Sequence, residues 1–201
     1  MARRERFGRR VPRSPPRREA PAMKPMAFSQ HDSRWAHQRV GAGKAPFHTA
    51  GCLVCAVASA LVDLGIETDP ARLNQWLQEN AGFFNENLLI WTAVEPLGVR
   101  LNRLINCVNT PAPLAILEED LAARRVVLAQ VDAQPGGPLN QHWVRLLSCD
   151  PAPMRCRIMD PWQPPGAELI NLGQYATSQG WNTSQSIFKA AIYCRNPSED
   201  P

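Results

Sequence analysis

The segment from Cys52 to Leu64 constrains the fold most, because it is nearly all apolar and rich in small residues. Such a segment must be buried on most sides, and Gly65 follows it where a helix commonly ends in a left-handed conformation. We therefore predict a buried helix. Gly51 allows a tight chain entry into this helix, and Cys52 and Cys55 lie one turn apart at its start.

The basic character of the chain is confined to its N-terminal segment. Residues 1–25 contain nine Lys/Arg and two Glu, whereas the remaining chain has 13 basic and 16 acidic residues. Five prolines and no apolar periodicity predict that residues 1–25 are a disordered tail. Residues 26–196 are then expected to form one domain, followed by a disordered end at 197–201. Nucleic acid is unlikely as a partner except through the basic tail.

The apolar pattern also bears on the compartment. The sequence has no run of about 18 apolar residues and no apolar segment after the paired arginines, so it predicts neither a membrane span nor a secretory signal. Six cysteines in 201 residues are too few for a disulfide scaffold. We therefore expect a cytoplasmic protein with reduced thiols, most of them small core residues.

The periodicity predicts helices in the first half of the body and strands in the second. Asp69 is a predicted N-cap and Pro70 a first helical residue, with Leu73, Trp76 and Leu77 on one face. Further helices are predicted at Leu88–Glu95 and within residues 112–125, and strands at Val126–Asp132, His142–Ser148, Arg155–Asp160 and Ser186–Cys194. This order predicts an α+β fold with helices packed on one face of an antiparallel sheet.

Three residues form a possible catalytic set. Cys52 opens a helix, where free N–H groups and the helix dipole stabilise a thiolate. His142 begins a predicted strand after a Gly/Pro-rich loop, and Asp160 ends the next strand. Folding these two strands back on each other brings the histidine and the carboxylate to the same end of the hairpin. A nucleophile, a base and an orienting carboxylate are the groups that thiol-dependent acyl transfer requires.

Four segments, "FSQHDSRWAHQRVG", "AGCLVCAVASALVDLGIETDPARLNQWL", "NQHWVRLL" and "IMDPW", resemble a known family. The resemblance runs from Phe28 to Asp160 and is to free-standing bacterial and phage papain-like cysteine peptidases. These are related to the bacteriocin-leader, or double-glycine, peptidases of cysteine peptidase family thirty-nine. The resemblance implies a papain-like fold and no cofactor, with Cys52 as nucleophile and His142 as general base and acid. It also implies Asp160 as the orienting group, and a peptide or cell-wall peptide as substrate, in a setting that includes phage.

The resemblance also implies an oxyanion donor upstream of the cysteine. In the leader peptidases this donor is a glutamine six residues before the nucleophile, a position held here by Pro46, so Gln30 in "FSQ" becomes the candidate. Gly51, Trp143 and Trp162 are candidate substrate contacts because they adjoin the three catalytic candidates, although the position of Trp143 also suits core packing.

Other functions are compatible with the residues taken alone. A Cys52/Cys55 dithiol suggests redox chemistry, but no strand is predicted immediately before it. A zinc site would need two more ligands at suitable spacing, and none is predicted. A peptidase-like binding module without turnover is the main alternative, because Pro46 replaces the upstream glutamine. The sequence predicts no metal site and leaves the oligomeric state open.

Overall fold

The computed structural model describes residues 25–134, 139–150, 155–167, 169–177 and 180–196. Apart from Pro25, the tail predicted at residues 1–25 lies outside these ranges, as does the end predicted at 197–201. The helices are α1 Phe47–Ala50, α2 Cys52–Asp63, α3 Pro70–Glu79, a 3₁₀ helix Trp91–Leu97, α4 Leu114–Ala122 and α5 Gln174–Thr177. The strands are β1 Phe83–Phe84, β2 Leu88–Leu89, β3 Val99–Asn106, β4 Val126–Asp132, β5 Gln141–Asp150, β6 Arg155–Met159, β7 Ile170–Asn171 and β8 Lys189–Arg195.

A six-stranded antiparallel sheet forms the centre of the described structure. Its strand order is β3-β8-β4-β5-β6-β7, and β1 and β2 form a separate small hairpin. Strands β4 and β5 lie in the middle of this sheet, and β5 and β6 form the hairpin predicted between His142 and Asp160. The prediction of a mixed helix and antiparallel-sheet fold is therefore confirmed.

Helix α2 is the buried helix that the sequence predicts. Its residues from Val54 to Leu61 are all buried, and they share one core cluster with Leu128, Trp143 and Tyr193 of the sheet. The helix ends at Asp63 with Leu64 as its C-cap, and Gly65 follows with a φ of 85°, the left-handed conformation expected of glycine at this position.

Helix α3 begins and packs as predicted. The Asp69 carboxylate accepts a hydrogen bond from the Arg72 N–H at 2.9 Å, and Pro70 is the first helical residue. Leu73 and Leu77 are fully buried.

Within the described ranges, no helix is both long and apolar enough to cross a membrane.

The prediction that the helices pack on one face of the sheet is wrong. Helix α4 places Leu114 and Leu117 in a second core cluster with Val127 and Ala129 of β4, on the face opposite α2. Strand β4 is buried along its whole length. Its first four residues, 126–129, are all apolar, which is typical of a strand covered on both faces, and the prediction of helices on a single face did not take this signal into account.

Two local predictions also differ from the structure. The helix predicted at Leu88–Glu95 is replaced by β2 and the 3₁₀ helix, whose Pro96 cannot donate a backbone hydrogen bond. Strand β3 was not predicted, because it is a half-exposed edge strand with Arg100 and Arg103 among its residues. Its pairing with β8 supplies the backbone hydrogen bonds that its own composition does not suggest.

The expectation of reduced thiols is wrong for two cysteines. Cys149 and Cys156 lie directly opposite each other in the β5–β6 pair, with their Cα atoms 4.1 Å apart, and form a disulfide. Cysteine density along a sequence does not report such cross-strand neighbours. The other four cysteines are free, and Cys55 and Cys107 are buried as predicted.

The disulfide predicts the number of thiols per chain. Protein unfolded in denaturant without a reducing agent should react at four thiols. After reduction it should react at all six. A colorimetric thiol titration of both samples, with the intact mass as a control, measures this difference. Six reactive thiols before reduction would contradict the cross-link.

Candidate active site

The Cys52 side chain is positioned by a break between two helices. Helix α1 ends at Ala50, and α2 begins with Cys52 directly after Gly51. The Gly51 N–H donates to the Phe47 carbonyl at 2.7 Å, and the Gly51 carbonyl accepts from the Cys55 N–H at 2.9 Å. Cys52 is therefore the first residue of a helix, where backbone N–H groups lack intrahelical partners.

Gly51 is needed for packing at this break. An added Cβ would lie 2.4 Å from Cδ1 of Phe47 and 2.7 Å from its carbonyl oxygen, and both distances are too short. Gly51 is itself buried and is not among the described residues that line the cavity beside Cys52. Phe47 fills the space beside its Cα, and the substrate contact of Gly51 stays a prediction.

His142 and Asp160 form a buried hydrogen-bonded pair at one end of the β5–β6 hairpin. His142 pairs with Val131 of β4 in the sheet, and its Nε2 lies 2.6 Å from Oδ1 of Asp160. Both side chains are at most 5% exposed. Because Nε2 is used by the carboxylate, Nδ1 is the ring nitrogen left for Cys52.

Three groups among the described residues donate hydrogen bonds to the Asp160 carboxylate. Oδ1 also accepts from the Trp162 N–H at 2.9 Å, and Oδ2 accepts from the Tyr175 hydroxyl at 2.5 Å. Burial raises the pKa of Asp160. The hydrogen bond and charge of His142, together with the other two donors, lower this pKa by a larger amount, so the net shift is downward. The carboxylate is therefore ionised at neutral pH.

The same contacts act on His142. Burial lowers the pKa of the imidazole, but its hydrogen bonds with Asp160 and Cys52 and their charges more than offset this, which raises the pKa of His142 to about 9. His142 is therefore an imidazolium at neutral pH. An imidazolium that contacts a thiol favours the thiolate as its partner.

Gln30 is brought against the site by two hydrogen bonds. Its side-chain Nε2 donates to the His48 carbonyl at 2.8 Å, and its backbone N–H donates to the Pro161 carbonyl at 2.8 Å, next to Asp160. The residue is 1% exposed. One hydrogen of the Nε2 amide is left, and Oε1 has no hydrogen-bond partner among the described residues.

A cavity of about 390 Å³ brings these groups together. Its lining residues are Gln30, Thr49, Cys52, Ala133, Gln134, Asn140, Gln141, His142, Trp162 and Tyr175. The thiol, the imidazole and the Gln30 amide thus border one space, and its volume falls within the range of small-ligand clefts.

Two predicted tryptophans occupy different environments. Trp162 is 53% exposed and lines the cavity, with its ring 6.4 Å from that of His142 and 4.8 Å from that of His31. Trp143 is buried and packs against Trp91 with 5.0 Å between ring centroids. Trp143 does not line this cavity, because its side chain packs in the α2 core.

Three cavity-lining residues, Tyr175, Thr49 and Gln141, are not predicted from the sequence. Tyr175 belongs to the four-residue helix α5, for which the periodicity gives no signal. Thr49 and Gln141 also line the cavity, and each lies within a few residues of a predicted catalytic candidate. Proximity in sequence to Cys52 and His142 could have identified these two, but not Tyr175.

The redox and zinc alternatives find little support in the geometry. Burial raises the pKa of the Cys55 thiol well above its ordinary range, and the neighbouring Cys52 raises it further. Cys149 and Cys156 are bonded to each other and so cannot ligate zinc as thiolates. Across the ranges that the structure describes, no three His, Cys, Asp or Glu side chains are grouped as a metal site.

Comparison with known proteins finds likeness in structure alone. No family model and no curated protein matches the chain. A crystal structure of a protein from Bacillus anthracis that is described as a "putative C39-like peptidase" aligns with 73% of this chain and 90% of its own. The TM-score is 0.46 and the sequence identity is 15%. A likeness this weak carries no functional argument, so the interpretation of the site rests on its own geometry.

The high pKa of His142 can be measured directly. In an NMR titration the ring signals of His142, identified by their loss in His142→Gln, should show a midpoint of about 9. Cys52→Ala and Asp160→Asn should each lower this midpoint, because each variant removes a group that stabilises the imidazolium.

The other three histidines serve as internal references in the same spectra. A His142 midpoint near the ordinary value of about 6.5, unchanged by Cys52→Ala, would contradict the contact between the imidazole and the thiol.

Gly51→Ala should destabilise the protein and displace Cys52. The added methyl group overlaps Phe47, so we expect a loss of about 1–3 kcal/mol in the free energy of unfolding, measured by urea denaturation. Gly43→Ala is the matched control, because its nearest atom, the Val40 carbonyl oxygen, is 3.4 Å away. Equal stability losses in the two variants would contradict the role of Gly51.

Proposed function

We propose that the protein is a cysteine peptidase or amidase with a papain-like fold, in which Cys52, His142 and Asp160 act together. The observation that carries the proposal is the buried 2.6 Å contact between His142 Nε2 and Asp160 Oδ1, next to Cys52 in the wall of an open cavity. A thiol, an oriented imidazole and a carboxylate beside a cleft are the groups required for nucleophilic acyl transfer.

The first chemical step is attack by the Cys52 thiolate on a substrate carbonyl. A C–S bond forms and the carbonyl electron pair moves to oxygen, which gives a tetrahedral intermediate. His142, protonated at neutral pH, donates its proton to the leaving amine as the C–N bond breaks. Asp160 holds the ring through Nε2 throughout, so Nδ1 exchanges the proton.

The negative oxygen of the intermediate needs hydrogen-bond donors. The Gln30 amide has one Nε2 hydrogen beyond its bond to the His48 carbonyl, and it borders the same cavity as Cys52. The Cys52 backbone N–H at the start of α2 is a second donor. In this proposal Gln30 takes the role of the glutamine that the leader peptidases have at the position of Pro46. A pair of such donors is typical of acyl-transfer enzymes.

Water completes the reaction. His142, neutral after proton donation, removes a proton from water as the water attacks the thioester carbonyl, and the acid is released as Cys52 leaves. The substrate class we propose is a peptide or a cell-wall peptide. The neutral amide and hydroxyl side chains of Thr49, Gln134 and Asn140 on the cavity wall support a substrate bound through peptide groups.

Alkylation with iodoacetamide tests the proposal at the nucleophile. We expect Cys52 to react at neutral pH at least about tenfold faster than Cys194, and His142→Ala to slow it, because the ion pair supplies the reactive thiolate. Cys194 is the matched control, since both thiols are free and partly exposed. Peptide mapping by mass spectrometry after timed quenching measures both rates in one sample.

Hydrolysis is then tested with a peptide library and with purified cell-wall peptide. New termini should form with the wild-type chain and disappear with Cys52→Ala. Equal labelling of Cys52 and Cys194 would overturn the catalytic assignment. Rapid labelling of Cys52 without any hydrolysis would instead favour the peptidase-like binding module over the enzyme.

A further inference from the structure

We propose that Tyr175 is a positioning residue that fixes the Asp160 carboxylate and sets the strength of its bond to His142. The inference rests on the proposed function for its catalytic meaning. Its structural basis is independent of that function, because the Tyr175 hydroxyl donates to Asp160 Oδ2 at 2.5 Å.

The three donors to Asp160 divide between its two oxygens. Oδ1 binds His142 and the Trp162 N–H, whereas Tyr175 is the donor to Oδ2. The Asp160 side chain is fully buried, so bulk water does not reach Oδ2 in place of the hydroxyl. Loss of this hydroxyl leaves part of a buried carboxylate without a donor, which is costly.

The backbone around Tyr175 holds the hydroxyl at a fixed distance from Asp160. Strand β7 pairs with β6, the strand that leads directly into Asp160. The Leu172 N–H donates to the Cys156 carbonyl at 2.8 Å, and the Tyr175 N–H donates to the Leu172 carbonyl at 3.0 Å. The donor and the acceptor are therefore tethered to the same strand.

The titratable groups around Asp160 and Tyr175 come from four parts of the chain. Cys52 approaches from α2, His142 from β5 and Tyr175 from α5, and His31 contacts Trp162 from the N-terminal loop. Burial, with the charge and hydrogen bond of Asp160, raises the pKa of Tyr175 far above its usual range, so the hydroxyl keeps its proton and acts as a donor.

Removal of the hydroxyl should change the electrostatics of His142 in a defined direction. The Tyr175 O–H dipole offsets part of the negative charge on Asp160. Without it the carboxylate attracts the imidazolium more strongly, and the NMR titration midpoint of His142 in Tyr175→Phe should rise by about half a pH unit.

The chain offers a matched control, because it contains two tyrosines. Tyr193 is also buried, and its hydroxyl donates to the Trp91 carbonyl at 2.7 Å, within the α2 core. Tyr193→Phe also removes one tyrosine hydroxyl that donates a hydrogen bond, here to a neutral carbonyl, and should lower stability without moving the His142 midpoint. A structural role for Tyr175 would make the two variants behave alike.

A variant with the opposite sign tests the same contact without deleting it. In the Tyr193→Phe background, incorporation of 3-fluorotyrosine places fluorine at Tyr175 alone. Its more acidic hydroxyl donates more strongly, so the His142 midpoint should fall. A midpoint that does not rise in Tyr175→Phe and does not fall with 3-fluorotyrosine overturns the proposal. Since the titration needs no turnover, this outcome is distinct from a failure to find hydrolysis.

Discussion

The hydrogen bond between His142 and Asp160 is the interaction around which the site is organised. It joins the two strands of one hairpin at the end where that hairpin meets the first turn of α2. Its burial makes each group depend on the charge of the other, since either charge alone would be poorly solvated there. The opposite shifts in the two pKa values, downward for Asp160 and upward for His142, express this dependence.

The fold covers both faces of the sheet that carries this pair. Helix α2 covers one face of the sheet and presents Cys52 at its start, while α4 covers the other face and closes the second core. Strand β5 is a central strand that pairs with β4 at His142 and with β6 from Arg145 onward, so the backbone at His142 is held by its pairing with Val131 of β4. Rigid placement of this kind suits a group whose role requires a fixed direction.

The sequence was sufficient to predict an element or a site residue where the pattern that indicates it lies within one segment. Helix α2 with Cys52 at its mouth, the cap at Asp69 and strand β4 were all predictable, because each has a local pattern. Tyr175, the α4 face and the disulfide were not, because each depends on which segments become neighbours after folding. Trp143 shows that closeness in sequence can also mislead, since it adjoins His142 in the chain but does not line the cavity.

One contact described above also determines when the site can exist. The N-terminal loop that contains Ser29 and Gln30 is tied to the segment after Asp160. The Ser29 hydroxyl donates to the Pro161 carbonyl across 132 residues of chain, and the Gln30 N–H donates to the same carbonyl. Contacts of such sequence separation form late, because a long loop must close first. The site is therefore complete only when the N-terminal loop and the segment after Asp160 have come together, so its assembly depends on the tertiary fold and not on α2 alone.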